Sequence, residues 1–304
     1  MSNKPIPMKV SVMGAGAVGC YFGARLHQAG HDVTLIGRPA LVDAVRAKGL
    51  RLQMQGFDGF LPVQASTDPS QVSGSDLLLF CVKSGDTEAA GAAIKPFVRN
   101  CAVLSLQNGV DNALRLSRVL GWDAVPVVVY VAVEMAAPAH VVHHGRGELI
   151  IGPSVGSLRA AQTFIAAGIP AEVSSRVLEA LWAKLSANCA YNALSALTQL
   201  SYGDLIQRPG MQQTLHDIVA ECRSVASAAG FSLPATIWDD VLRLSRTMPN
   251  QRSSMAQDLA RGRRSEIDYI NGHVAREGDR LGVPVPLNRL LHALVRTRDD
   301  ALRS

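Results

Sequence analysis

The chain has 304 residues, enough for two domains of ordinary size. With 48% hydrophobic and 18% charged residues it can build a large core and is too poor in charge to remain disordered. The formal net charge is +5, but the 30 Lys and Arg are dispersed. Their densest run, Arg261-Gly262-Arg263-Arg264, has no aromatic interleaving, so nucleic acid is not an expected partner.

In chain order, residues 9–13 and 32–36 read as strands, followed by strands at 76–83, 102–106 and 125–131, with helical or turn material between them. Their near-continuous apolar character predicts strands buried on both faces, as in a parallel sheet covered by helices. Residues 141–144 and 148–151, separated by Gly145-Arg146-Gly147, read as a hairpin closing the sheet edge. A helix over 157–167 and a last short strand at 171–173 follow. Beyond Ser174 the pattern becomes helical, over 176–200, 211–229, 236–247, 255–261, 266–281 and 287–302. The expected fold class is therefore α/β, with a Rossmann-type dinucleotide-binding domain (1–174) followed by an all-helical substrate or catalytic domain (175–304) and a cleft between them.

The five cysteines are scattered and form no Cys-x-x-Cys pair, so they read as reduced thiols packed as small apolar groups. His143 and His144 would point to opposite strand faces, and no metal is expected. Residues 1–7 hold no apolar signal core, and no uninterrupted run of 18 apolar residues occurs. The reading is a cytoplasmic protein with no membrane partner.

Gly14-Ala15-Gly16-Ala17-Val18-Gly19 follows the first strand directly and opens a helix. In this context Gly14 permits the tight turn, Gly16 lets the backbone approach a pyrophosphate, and Gly19 allows helix and strand to pack closely. The second strand ends Leu35-Ile36-Gly37-Arg38, without the carboxylate that binds ribose hydroxyls in an NAD site. Arg38 suits a 2′-phosphate, which favours NADP; the plain alternative is a surface arginine. Lys83 and Gln107-Asn108-Gly109 end two further strands and so face the cofactor crevice, although each also reads as ordinary loop chemistry.

Residues 177–200 carry only Glu179 and Lys184 as charges, which predicts a mostly buried helix. Lys184, Asn188 and Asn192 recur at i, i+4 and i+8 along one side of it. They line a cleft, or else are a snorkelling lysine above two hydrogen-bonded core asparagines. Ser254-x-x-Gln257 and Ser265-x-x-Asp268 read as capping boxes, with Gly262 as a helix stop between them. One unbroken helix would hold Ser254 and Glu266 about 18 Å apart, so the break matters if they share a site.

Taken together these residues resemble the ketopantoate reductase (2-dehydropantoate 2-reductase) family. The resemblance rests on GAGAVG, Val82-Lys83, Gln107-Asn108-Gly109, the run from Trp182 to Cys189 with Asn192, Ser253 to Asp258, and Ser265 to Gly272. It implies NADPH-dependent reduction of an α-keto acid, most notably 2-dehydropantoate to pantoate on the route to pantothenate and coenzyme A. It also implies Lys184 as the catalytic lysine, polarising the ketone and protonating the developing alkoxide, with partial burial lowering its pKa. Asn108, Asn188, Asn192 and Ser254 would bind substrate; the glycine loop, Arg38, Lys83, Asn108, Glu134 at a strand end, and Glu266 would bind cofactor. Two departures stand out: Tyr202 where the best-known members carry another substrate-contacting Asn, and Ala193 where Pro is frequent after Asn192. A β-hydroxyacid dehydrogenase is the near rival, and a non-enzymatic NADP(H) sensor a more distant one. A homodimer is left open.

Overall fold

A computed structural model describes residues 7–301. The start of the 1–7 segment, and Leu302 at the end of the last expected helix, lie outside the described residues. The chain divides after Val177 into two compact units.

The first unit is built on β1 (Lys9–Met13), α1 (Ala17–Gln28), β2 (Asp32–Ile36) and α2 (Pro39–Lys48). A hairpin of β3 (Leu50–Met54) and β4 (Phe57–Leu61) leads to β5 (Gln64–Ser66) and β6 (Leu77–Phe80). Then come α3 (Thr87–Ile94), β7 (Ala102–Ser105), α4 (Asn112–Leu120), β8 (Val125–Ala137), β9 (His140–Ile151), α5 (Ser157–Ala166) and β10 (Ala171–Val173). The sheet order is β4-β3-β9-β8-β7-β6-β1-β2-β5, with β10 beside β9. From β5 through β8 all pairings are parallel.

Alternation along the central strands explains why helices cover both faces. Leu77 and Leu79 pack with Val10, Val12, Leu104 and the α1 residues Phe22 and Leu26. Leu78 and Phe80 point the other way, against Ile94 of α3 and Leu116 of α4. After β1 the chain builds outward through β2, then crosses back to β6 on the other side of β1. This reversal makes the carboxyl end of β1 a topological switch point, where an open α/β sheet leaves a crevice for ligand.

Three expectations for this unit need correction. Gly145-Arg146-Gly147 is not a hairpin turn but an irregularity within the single long strand β9, where Tyr130 pairs with Glu148 and Val131 with Arg146. Gly147 is the extra residue, and positive φ at Gly145, Arg146 and Gly147 makes a bulge possible while β8 continues alongside. The real turn is Pro138-Ala139, which joins β8 to β9. Secondly, β8 runs to Ala137, so Glu134 lies within a strand and not at its end; its carboxylate meets His144 at 3.2 Å. Thirdly, β6 stops at Phe80, three residues before Lys83. The β3–β4 hairpin was not expected, because only Gln55-Gly56, with Gly56 at φ +79°, marks its two-residue turn.

The second unit is helical: α6 (Val177–Thr198, whose first residue precedes the division), α7 (Tyr202–Ile206), α8 (Met211–Ala228), α9 (Ile237–Thr247), α10 (Ser254–Ala260), α11 (Asn271–Leu281) and α12 (Pro286–Ala301). Buried polar groups tie it together. Asn271, fully buried, donates to the Cys189 carbonyl of α6 and to Asn288 Oδ1 of α12, at 3.1 and 3.0 Å. The Glu221 carboxylate of α8 accepts from the Leu287 and Asn288 amides, capping the start of α12.

The expected stop at Gly262 is present. Gly262 has φ +65°, its N–H bonds the Leu259 carbonyl, and the Arg263 N–H bonds the Asp258 carbonyl, the reciprocal pair of a Schellman ending. Neither capping box forms as read. Ser253, one residue earlier than expected, caps α10 by accepting from the Ala256 amide at 3.0 Å. Ser265 turns to Asp299, and Asp268 turns to α12, so a short 3-10 turn (Ile267–Tyr269) stands before α11.

The cysteines are free, and burial pushes the Cys20 thiol up to about 12 and raises those of Cys81 and Cys189. Iodoacetamide at pH 8 should leave these three unmodified in the folded protein and alkylate them after denaturation. Stoichiometric labelling of Cys20 in the native state would contradict this packing.

Candidate active site

In the first unit, the turn after β1 is held against β2 and β6. The Gly14 and Ala15 amides both donate to the Ile36 carbonyl at 3.0 Å. Gly14 has φ +93°, and a Cβ there would stand 2.5 Å from the Val82 nitrogen. A Cβ at Gly19 would meet the Gly14 carbonyl oxygen at 2.6 Å. Gly16 differs: it is exposed, and a Cβ there would meet nothing within 4 Å. It is also the N-cap of α1, and no side chain caps that helix. Uncapped amides at a helix start, reached through open space over a glycine, fit the pyrophosphate of a dinucleotide.

Arg38 stands exposed as the N-cap residue of α2, directly after Gly37. A Cβ on Gly37 would lie 2.9 Å from the Ala15 side chain, so the end of β2 abuts the glycine turn. Lys83 is exposed at the start of a 3-10 turn (Ser84–Asp86).

Polar groups brace the loops after β6 and β7, among them Ser84, Thr87, Asn112 and Arg115, which sequence reasoning passed over. Gln107 is buried; its amide donates to the Val82 carbonyl at 3.1 Å and to the Thr87 hydroxyl at 2.8 Å. The Asn108 carbonyl accepts from the Ser84 hydroxyl and the Asn112 amide, at 3.1 and 2.5 Å. Arg115 bonds the Ser84 carbonyl at 2.9 Å and forks onto Glu88. Asn108 is thus set by its backbone, half-buried, after β7. The available signal was the cluster of Ser84, Thr87 and Asn112 beside strand ends, each of which reads singly as a turn residue or helix cap.

In the second unit, α6 carries Lys184 and Asn188 half-buried and Asn192 buried at 3% exposure. The start of α10 docks on this helix: the Ser253 hydroxyl donates to the Asn192 carbonyl at 3.2 Å, and the Ser253 amide donates to Ser195 Oγ at 3.2 Å. Ser253 does the capping, so the exposed Ser254 in the first turn is spared that role and sits one residue from the α6 contact. Glu266 is 8% exposed, in the connection between α10 and α11. Tyr202, at the start of α7, packs its ring 4.5 Å from that of Tyr191, the α6 neighbour of Asn192, and burial raises both phenol pKa values. The Tyr202 amide also bonds the Gln251 carbonyl at 2.9 Å, so α7 adjoins the segment leading to Ser253. Ser254 is therefore brought to the Asn192 part of α6, with Asn188 and Lys184 four and eight residues earlier on the same helix.

Comparison with known proteins bears on both units. The family model described as "Ketopantoate reductase PanE/ApbA" matches residues 10–156, and "Ketopantoate reductase PanE/ApbA C terminal" matches 176–299. The chain belongs to the ketopantoate reductase family. The 2-dehydropantoate 2-reductase of Archaeoglobus fulgidus is 31% identical over 300 residues, covering 97% of this chain and 99% of that protein. Among solved structures, a PanE/ApbA family ketopantoate reductase from Ralstonia eutropha JMP134 is 55% identical, with TM-score 0.95 and coverage of 98% and 100%. D-mandelate dehydrogenase, solved with NADH and anilino(oxo)acetate, is 25% identical, with TM-score 0.92 over 98% of this chain and 100% of that one. As a ketopantoate reductase family member the chain is an oxidoreductase acting on CH–OH groups.

Two glycines of the loop make separable predictions. Gly16→Val should leave the melting temperature within a few degrees of the parent and weaken dinucleotide binding by at least about tenfold. Gly19→Val should lower the melting temperature outright, because its side chain meets backbone. Intact binding by Gly16→Val would remove the loop from the cofactor site.

Proposed function

We propose that this enzyme reduces 2-dehydropantoate to pantoate with NADPH, the step that feeds pantothenate and coenzyme A synthesis. One observation carries the reading: a lysine and two asparagines lie in register on the largely apolar helix α6, with Ser254 pinned near Asn192 through its neighbour Ser253. A solvated helix face is rich in charges, whereas this one offers a single ammonium and two amides.

The glycine loop and the α1 amides would hold the pyrophosphate, and Arg38 the 2′-phosphate, with Lys83, Asn108 and Glu266 as further contacts. The bound dinucleotide would supply the hydride. Lys184 donates a hydrogen bond to the ketone oxygen, draws charge onto it, and gives up its proton as the alkoxide forms. Asn188, Asn192 and Ser254 are neutral donors suited to orienting the substrate's carboxylate and hydroxyl groups without competing for that proton. The NADP preference rests on Arg38 and on the lack of a carboxylate at the end of β2.

The Tyr191–Tyr202 pair favours a second reading, in which the 2-keto acid bears an aromatic group. The likeness to a D-mandelate dehydrogenase solved with an anilino-substituted oxoacid points the same way.

Initial rates of NADPH oxidation with ketopantoate and with phenylglyoxylate separate these readings. Ketopantoate should have the higher kcat/KM; the reverse order would establish the aromatic substrate, and turnover of neither would overturn both. With the better substrate, Arg38→Ala should raise KM for NADPH by about tenfold and leave KM for NADH nearly unchanged. Equal effects on the two cofactors would refute the 2′-phosphate assignment.

A further inference from the structure

Glu266 is held on both sides by the same helix. One residue before it, Ser265 donates its backbone N–H to Asp299 Oδ1 at 3.1 Å and its hydroxyl to Asp299 Oδ2 at 2.7 Å. Ser265 and Asp299 are both buried, at 8% and 3% exposure. Two residues after Glu266, the Asp268 carboxylate accepts from His292 Nε2 at 2.8 Å, from Arg296, and from Arg264 at 3.2 Å. His292, Arg296 and Asp299 all belong to α12.

This arrangement exceeds what joining α10 to α11 requires. Apolar side chains secure a buried connection without cost, whereas a desolvated carboxylate is unfavourable unless its hydrogen bonds are satisfied. What two carboxylate anchors provide is directional: fixed at Ser265 and again at Asp268, the intervening backbone cannot rotate, and Glu266 leaves it at one angle. Gly272 belongs to the same device, since a Cβ there would stand 2.8 Å from His292 Nε2 and force the imidazole away from Asp268. The His292 hydrogen bond, with the Arg296 and Arg264 guanidiniums beside it, holds the Asp268 carboxyl below the usual carboxylate range, so this anchor stays ionised at neutral pH.

We propose that Asp299 and Asp268 are positioning residues for Glu266, setting from α12 the angle at which its carboxylate meets the dinucleotide. The proposal rests on the reading of Glu266 as a cofactor contact, and its test is built to separate the two. NADPH dissociation constants are measured by fluorescence titration for the full-length parent, Glu266→Gln, Asp299→Asn and the double variant, with melting temperatures alongside.

Glu266→Gln should weaken NADPH binding about tenfold, Asp299→Asn severalfold, and the double variant no more than Glu266→Gln alone, because contacting groups couple. Ser265→Ala, which removes one donor to the buried Asp299 carboxylate, should weaken binding in the same direction and also lower the melting temperature. Asp268→Asn should behave as Asp299→Asn does. A merely structural role would lower the melting temperature and weaken binding equally whether residue 266 is Glu or Gln. Additive losses in the double variant, or unchanged binding by both Asp299→Asn and Ser265→Ala, would overturn the positioning role. Unchanged binding by Glu266→Gln would instead overturn the reading beneath it.

Discussion

At residue 14 there is room for a hydrogen atom and for nothing larger. The turn after β1 lies so close to the backbone following β6 that a Cβ would sit 2.5 Å from the Val82 nitrogen. That approach exists because β6 is paired directly to β1, and it leaves the start of α1 uncapped at the carboxyl edge of the sheet. The proposed pyrophosphate site would therefore be a property of backbone geometry, with Arg38 beside it adding selectivity. Gln107, Ser84, Asn112 and Arg115 keep the neighbouring loops from drifting by donating to their backbone carbonyls.

The helical unit solves a different problem. Helix α6 is largely apolar, and Lys184, Asn188 and Asn192 recur along one side of it. Polar groups in such surroundings cost free energy unless they find partners, and in the proposed function the substrate meets them there. The unit attaches further pieces to that helix through buried hydrogen bonds, Ser253 to the Asn192 carbonyl and Asn271 to the Cys189 carbonyl, while Glu221 ties α8 to the start of α12. Hydrogen bonds of this kind fix angles as well as distances, which apolar packing alone does less well.

Much of this could be read from residues alone, and the failures have physical causes. Strands β1, β2 and β10 fall where the apolar runs place them, and the Gly262 break has the backbone bonds of a helix ending. The glycine turn was legible because Gly14 and Gly19 each answer a separate steric demand, while Gly16 leaves open space over the start of α1. Gly145-Arg146-Gly147 misled because glycines permit a turn and a bulge equally, and only the long partner strand β8 decides between them. Ser254 and Ser265 fitted the capping pattern, but capping is local, and tertiary contacts at Asn192 and Asp299 moved the cap or replaced it. The brace around Gln107 joins residues 20 to 31 positions apart, beyond the reach of any periodic pattern. Tyr202 was noticed as a departure in type, while its packing against Tyr191 needed the fold.

The central claim is that the α6 lysine supplies the proton for ketone reduction. Lys184→Ala tests it most directly, with kcat measured at saturating NADPH and substrate and the NADPH dissociation constant measured separately. The account predicts a loss in kcat of about 10²–10⁴-fold, the usual worth of a positioned acid, with NADPH affinity within about twofold of the parent. Undiminished turnover, or a loss confined to NADPH affinity, would contradict it.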